Sequence, residues 1–179
     1  MRWMCAALVA AASVGAASGQ ILWTGVSAGT TWTWDAPTAP GTNFLHSSDV
    51  APSIFVAFTV DKDTLFRLRA ADLPYVPVVD GVGWPGKLRG YTAGIDYTFG
   101  GVFGDALLSA GLGAYDLQLQ AQQPPPGIEQ TKFGWYFGVG EWFQLTQRSR
   151  VTLELTMDRV SMTGNPVIVS ANLGLAFSF

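Results

Sequence analysis

The last seven residues of the chain, Leu173 to Phe179, read LGLAFSF. Large apolar side chains stand at Leu173, Leu175, Phe177 and Phe179, and glycine, alanine and serine occupy the positions between them. Alternation with a period of two is typical of a β-strand that has one apolar face. The sequence therefore predicts that the chain ends on a strand rather than in a polar tail.

The same alternation recurs along the chain, and no helical periodicity accompanies it. From Tyr91 to Phe99, for example, the odd positions are aromatic or aliphatic and the even positions are glycine, threonine or aspartate. The predicted strands cover eight segments, residues 21–34, 53–60, 64–72, 88–99, 106–119, 131–144, 150–161 and 167–179. In the fifth segment the alternation shifts phase between Leu112 and Tyr115, which predicts a β-bulge near Gly113.

The composition limits where such a chain resides. Of the 179 residues, 49% are hydrophobic and only 13% are charged, whereas a soluble domain carries about 25% charged residues. Beyond the first residues, no stretch approaches the roughly 18–20 apolar residues of a membrane-spanning helix. If the protein lies in a membrane, it crosses the bilayer with strands.

Residues 1–19 have the features of a secretory signal peptide. Arg2 precedes an alanine-rich apolar core, and small residues follow up to Gly19. Cys5 precedes most of this core, so it does not fit a lipoprotein cysteine. We expect an exported chain whose barrel domain covers residues 20–179, with no cysteine and therefore no disulfide.

The predicted strands fit a transmembrane barrel better than a soluble sandwich. The polar faces consist mainly of glycine, serine, threonine, asparagine and alanine, which is too little charge for a surface in water. Short connections alternate with long ones at residues 35–52, 73–87 and 120–130, as in an up-and-down barrel. We therefore predict an all-β fold, an eight-stranded antiparallel barrel with apolar side chains towards lipid and polar side chains in the lumen.

Several charged side chains then fall on lumen positions. Isolated charges in a narrow barrel are costly, so we expect Arg67 and Arg69 to pair with some of the carboxylates. Such a network either fills the core of a small barrel or lines a polar path. The predicted network consists of Arg67, Arg69, Asp96, Arg150, Glu154 and Asp158.

Aromatic residues near strand ends predict a girdle at the membrane surfaces. Glu141 interrupts the pattern, because strict alternation turns it towards lipid. Either it lies at headgroup level, or a bulge at residues 138–140 turns it inward. The predicted girdle comprises Trp23, Trp32, Trp34, Tyr91, Phe99, Trp135, Trp142 and Phe143.

The terminal phenylalanine, with apolar residues at the third, fifth and seventh positions from the end, resembles the insertion signal of bacterial outer-membrane barrels. With the signal peptide and the eight segments, residues 20–179 resemble the small barrels of the OmpA/OmpX/OmpW-like class. The resemblance implies a location in the outer membrane of a Gram-negative-type bacterium. It also implies contact with outer-membrane lipid and lipopolysaccharide, recognition of the last strand by the barrel assembly machinery, and a monomeric state.

No motif predicts catalysis, a metal or a cofactor. His46, the only histidine, lies near Ser48 and Asp49, the residue types of a nucleophilic triad. It occupies a proline-flanked segment, where serine and aspartate are common for other reasons. The acidic balance of the chain, which lacks a basic run, argues against nucleic-acid binding. We expect neither enzymatic activity nor a cofactor.

The sequence favours a structural or surface-interaction role in the envelope. One alternative is a narrow channel or binding site for a small, hydrophobic molecule that opens at the rim. A second alternative is a soluble lipocalin-like carrier, which requires the apolar faces to point inward.

Overall fold

The computed structural model describes residues 21–34, 46–79, 82–101, 103–120, 131–162 and 165–179. The predicted signal peptide, residues 1–19, lies outside this part of the chain. The described strands are β1 (Leu22–Trp34), β2 (His46–Thr59), β3 (Thr64–Tyr75), β4 (Val78–Val79), β5 (Val82–Gly83), β6 (Gly86–Gly100), β7 (Asp105–Leu119), β8 (Thr131–Thr146), β9 (Ser149–Val160) and β10 (Val167–Ser178).

Eight of these strands close into an antiparallel barrel, in the order β1-β10-β9-β8-β7-β6-β3-β2. The predicted fold class is thereby confirmed. The remaining two, β4 and β5, form a small separate hairpin in the connection between β3 and β6. Within the described ranges there is no helix long and apolar enough to cross a membrane.

The two ends of the barrel differ in their connections. Tight turns join β2 to β3, β6 to β7 and β8 to β9, and we call this the turn end. In the first of these turns the backbone N–H of Asp63 donates a hydrogen bond of 2.9 Å to Asp61. This bond lowers the pKa of the Asp61 carboxyl. The opposite end, which carries the longer connections, is the loop end.

The wall is incomplete between β2 and β3 at the loop end. The two strands pair from Thr59 with Leu65 up to Ser53 with Ala71. Beyond that point, among the described residues, β2 pairs only with β1 back to His46, and β3 pairs only with β6 from Asp72 to Pro74. Pro52, which lacks a backbone donor, stands at this limit, as expected for proline in a strand with one free edge. We call the gap the β2–β3 seam. The alternation in the sequence predicts β2 only from residue 53 and so does not indicate this gap.

The predicted bulge near Gly113 is wrong. The pairing of β7 with β6 and with β8 is continuous through Gly113. Leu112 points outward and Tyr115 inward without any change of phase. The alternation in the sequence changes phase because the inward positions of β7 near the loop end are themselves apolar, whereas those in the middle of the strand are small or polar.

The barrel presents its large apolar side chains to the outside. Leu173 is 61% exposed, Leu112 57% and Leu153 51%, although each lies in the middle of a strand. Small, polar and charged residues alternate with them on the inward face. This arrangement is the reverse of a soluble lipocalin-like carrier, in which water contacts the outer face.

Glu141 faces outward near the turn end. Its Oε1 accepts a hydrogen bond of 2.7 Å from the backbone N–H of Phe103. The register of β8 with β9 is continuous through residues 138–141, so no bulge turns Glu141 inward.

Candidate functional site

The lumen is the part of the barrel in which functional side chains converge, and it has three layers. A turn-end cluster of apolar residues and a loop-end cluster enclose a central polar layer. The turn-end cluster consists of Trp23, Phe55, Ala57, Leu65, Leu107, Trp142 and Ala176. The loop-end cluster consists of Ala51, Ala71, Leu73, Tyr75, Leu88, Tyr115, Leu117, Val160 and Ile168.

Arg67 stands at the centre of the polar layer and is 1% exposed. From β3 it reaches across the lumen to β9, where its Nη1 and Nη2 donate to the two carboxylate oxygens of Glu154 at 2.8 and 3.0 Å. Its Nε lies 2.5 Å from Asp96 on β6. The guanidinium also stacks 4.5 Å from the ring centre of Phe55. Contacts with two carboxylates and with the face of an aromatic ring suit the planar guanidinium of arginine better than the ammonium group of lysine.

Arg69 forms a second bridge, one inward position closer to the loop end. Its two terminal nitrogens donate to Asp158 at 3.2 and 3.0 Å. The hydroxyl of Tyr115 donates to the same carboxylate at 2.7 Å, and the guanidinium lies 5.1 Å from the ring centre of Tyr136. Neither tyrosine belongs to the predicted charge network, although the inward alternation of β7 and β8 places both in the lumen.

Arg150 stands apart from this network. Its carboxylate partner is Asp105 at the turn end, at 2.5 Å, and not one of the three central carboxylates. The guanidinium covers the rings of Trp23 and Trp142 at 4.8 and 5.6 Å. Asp105 begins β7 and fell in a predicted turn, which is why the sequence analysis did not include it.

Two residues predicted for the aromatic girdle lie inside the barrel instead. Trp23 is 7% exposed and Trp142 is 1% exposed, and their rings pack 5.5 Å apart. The indole N–H of Trp142 donates to Glu154 at 3.3 Å, which joins the turn-end cluster to the polar layer. The side chain of Trp34 lies outside the described part. Outward positions hold Trp32, Tyr91, Phe99, Trp135 and Phe143.

Glycines on neighbouring strands make room for the inward tyrosines. The ring of Tyr115 lies between Gly90 and Gly134. A Cβ added to Gly90 would lie 2.7 Å from the ring, and one added to Gly134 would lie 2.6 Å from it. The ring of Tyr136 covers Gly111, and its hydroxyl reaches Gly94. These glycines are therefore required for close packing inside the lumen.

The C-terminal residues complete the wall. Leu173, Leu175 and Phe177 point outward from β10, which pairs with β1 and closes the barrel. Phe179 follows the strand, and its backbone N–H donates to the carbonyl oxygen of Leu22 at 3.0 Å.

For the histidine, serine and aspartate that resemble a nucleophilic triad, the structure describes the backbone only. His46, Ser48 and Asp49 lie in the first part of β2, and their side chains are outside the described part. Among the described residues, no group of three or more histidine, cysteine, aspartate or glutamate side chains is placed to hold a metal ion.

No protein-family profile matches the sequence, and no curated protein sequence matches it either. Solved structures match the fold. Neisserial surface protein A (NspA) is 15% identical, with a TM-score of 0.67, over 88% of this chain and 97% of that one. The outer membrane protein OprG of Pseudomonas aeruginosa is 13% identical, with a TM-score of 0.58, over 89% and 95%.

The N-terminal β-barrel domain of Pseudomonas aeruginosa OprF is 16% identical, with a TM-score of 0.55, over 88% of this chain and 97% of that domain. At these identities the likeness concerns the fold alone. Together with the closed barrel and its apolar outer face, it leads to one conclusion. The chain is an eight-stranded β-barrel with the fold of the small bacterial outer-membrane proteins.

Proposed function

We propose that the chain is a sealed barrel of the outer membrane, with a structural or surface-interaction role and no catalytic activity. The observation that carries this proposal is the buried bridge from Arg67 to Glu154 across the lumen. In this proposal the protein is a monomer surrounded by outer-membrane lipid and lipopolysaccharide. Contacts with other components of the envelope or with the cell exterior involve the loop end.

The packing of the lumen supports closure. Eight strands leave an interior just wide enough for side chains to fill. Leu73, Leu117 and Ile168 at the loop end and Trp142 at the turn end are each no more than 1% exposed. A hydrated ion that crossed the barrel would have to displace both clusters and the bridge between them.

Conductance tests this closure. We expect no steady conductance from the wild-type protein in planar bilayers. The triple variant Arg67→Ser, Asp96→Ser, Glu154→Ser replaces the bridge with small side chains, and we expect more frequent openings from it. Heat-modifiable gel migration would show that both proteins are folded. Steady conductance by the wild type would overturn the proposal.

Deletion of the last residue, Phe179, tests how the barrel inserts into the membrane. We propose that Leu173, Leu175, Phe177 and Phe179 form the signal that the barrel assembly machinery recognises. We expect deletion of Phe179 to lower the folded, heat-modifiable fraction in the outer membrane several-fold. Phe103→Ser is a matched control, because Phe103 and Phe179 are 82% and 80% exposed. Equal losses from both variants would contradict a specific signal.

One observation favours a second function, a binding or entry site for a small hydrophobic molecule. The β2–β3 seam opens the wall beside the loop-end cluster, whose residues Ala51, Ala71, Leu73 and Tyr75 come from these two strands. To test it, Pro52→Cys and Asp72→Cys are joined by a short thiol crosslinker. Slower uptake of an apolar solute into proteoliposomes after crosslinking would support entry through the seam, and unchanged uptake would exclude it.

A further inference from the structure

Beside Arg67 the central polar layer contains buried oxygen atoms that lack hydrogen-bond partners. Asp96, Ser109 and Tyr136 are 0%, 2% and 1% exposed. The Oδ1 of Asp96, the Oγ of Ser109 and the hydroxyl of Tyr136 form no hydrogen bond with any described residue. Folded proteins rarely leave such groups unsatisfied, so an additional species is expected next to them.

The three side chains stand at inward positions of the adjacent strands β6, β7 and β8. Ser109 stands directly opposite Asp96, and Gly138 stands opposite Ser109. The Ser109 hydroxyl interacts with the Asp96 carboxylate, although no aligned hydrogen bond joins them. Tyr136 comes one inward position before Gly138, and its hydroxyl lies over Gly94, the inward neighbour of Asp96 on β6. We call this group of three side chains the Asp96 pocket.

Gly138, which stands opposite Ser109, is less crowded than the neighbouring inward glycines. A Cβ added there would meet Thr156 at 3.2 Å, and both Leu155 and Ser109 at 3.5 Å. A Cβ added at Gly94, Gly111 or Gly140 would overlap with neighbouring atoms. Of Gly94, Gly111, Gly138 and Gly140, Gly138 is therefore the one at which an added Cβ is least crowded.

The charge of the central layer is unbalanced. Two arginines, Arg67 and Arg69, face three carboxylates, those of Asp96, Glu154 and Asp158. The pair Arg150 and Asp105 at the turn end is neutral by itself. If all five of these groups are ionised, one negative charge is left over among the described residues between the two apolar clusters, where an unpaired charge is very costly.

We propose that the Asp96 pocket binds one small monovalent cation, such as Na⁺. The ligands are the carboxylate of Asp96 and the hydroxyl oxygens of Ser109 and Tyr136. Oxygen donors of this kind suit hard cations. A single positive charge neutralises the layer and also occupies the unpartnered oxygens.

The test uses the whole barrel, refolded into detergent micelles so that the lumen closes around the ion. NaCl, KCl and choline chloride are compared at equal ionic strength and pH, because choline is too large for the pocket. We expect Na⁺ to stabilise the barrel saturably, with about a tenfold smaller unfolded fraction at ten times the half-saturating concentration. Atomic emission after gel filtration in choline buffer should find a stoichiometric amount of sodium in the folded protein.

Two variants remove the site in different ways. Asp96→Asn removes the charge, and Gly138→Ala adds a methyl group beside Ser109 while all charges remain, so both should lose the response to Na⁺. Ser27→Ala is the control, because the hydroxyl of Ser27 bonds to Ser53 at 2.7 Å on another part of the wall. It should respond as the wild type does.

Equal stability in NaCl and choline chloride, without retained sodium, would overturn the proposal and leave water as the occupant. A stability that depends on pH alone would also overturn it, in favour of a proton on Asp96. If Asp96→Asn does not fold, Gly138→Ala decides, and a sodium response that persists in it would contradict the site.

Discussion

Replacing Arg67 with methionine is expected to lower the free energy of unfolding by about 3–5 kcal/mol, the usual cost of removing one partner from a buried ion pair. Methionine retains the length and flexibility of the side chain but leaves the carboxylates of Glu154 and Asp96 without their cation. It also removes the guanidinium from the ring of Phe55. Urea unfolding in phospholipid vesicles measures the effect.

Two further variants show whether the charge is responsible. Arg67→Met combined with Asp96→Asn and Glu154→Gln removes the unpaired charges, and we expect it to regain most of the lost stability. Arg150→Met removes an arginine that is partly exposed and bound to a half-exposed carboxylate. We expect this change to cost about 1 kcal/mol or less. If Arg67→Met and Arg150→Met have equal effects, the central bridge has no special importance.

The second large effect is expected from Gly111→Ala, at about 2–3 kcal/mol, the range of overpacked cores. The added methyl group would overlap with the Tyr136 ring and with the carbonyl of Ala93, and it would lie 2.8 Å from the Cα of Gly94. Because two of these three contacts are with backbone atoms, movement of the tyrosine alone does not relieve them. The urea midpoint and the heat-modifiable shift on gels report the loss.

Gly100→Ala is the matched control for this substitution. It makes the same chemical change near the end of β6, where a Cβ would have nothing within 4 Å. We expect an effect within about 0.5 kcal/mol, as for other surface substitutions. An equally destabilised Gly100→Ala would show that glycine is needed for backbone conformation and not for the fit of the tyrosine ring.

The fold could be predicted from alternation because one physical requirement acts on every strand. An outer face in contact with lipid needs apolar side chains at every second position, and Leu153, Leu155 and Met157 on β9 satisfy it. Closure into a barrel follows, because an open edge in hydrocarbon leaves backbone groups unpaired. The number of barrel strands and most of their limits can therefore be predicted from the sequence, whereas the alternation does not predict the small hairpin of β4 and β5.

The contacts inside the lumen are harder to predict from the sequence, for two reasons. Near the strand ends both faces are apolar, so the pattern there does not show which side chains point inward. It predicts an outward position for Trp142 and a shift of the alternation at Tyr115, although both side chains point inward. Several ion pairs join strands that are not neighbours in the sheet, such as the pair of Arg67 on β3 and Glu154 on β9, which are 87 residues apart in sequence. The stagger of the strands around the barrel decides which inward residues meet, and local alternation does not contain it.

The β2–β3 seam also fixes how deeply the barrel sits in the bilayer. Unpaired backbone groups are not tolerated in hydrocarbon, so the seam must lie above the apolar core of the membrane. Asp72, Lys87 and Arg89 form an outward-facing charged group at the same height. From Thr64 to Ala71 the wall then spans about 24 Å along β3, or about 18 Å along the membrane normal at a tilt of roughly 40°.

This height is less than the roughly 25 Å of a typical outer-membrane barrel. The resulting hydrophobic mismatch is confined to the side of β2 and β3. It is relieved if the bilayer thins beside these strands or if the barrel axis leans. Either response would make the protein's fit to the bilayer asymmetric, with the difference greatest next to the seam.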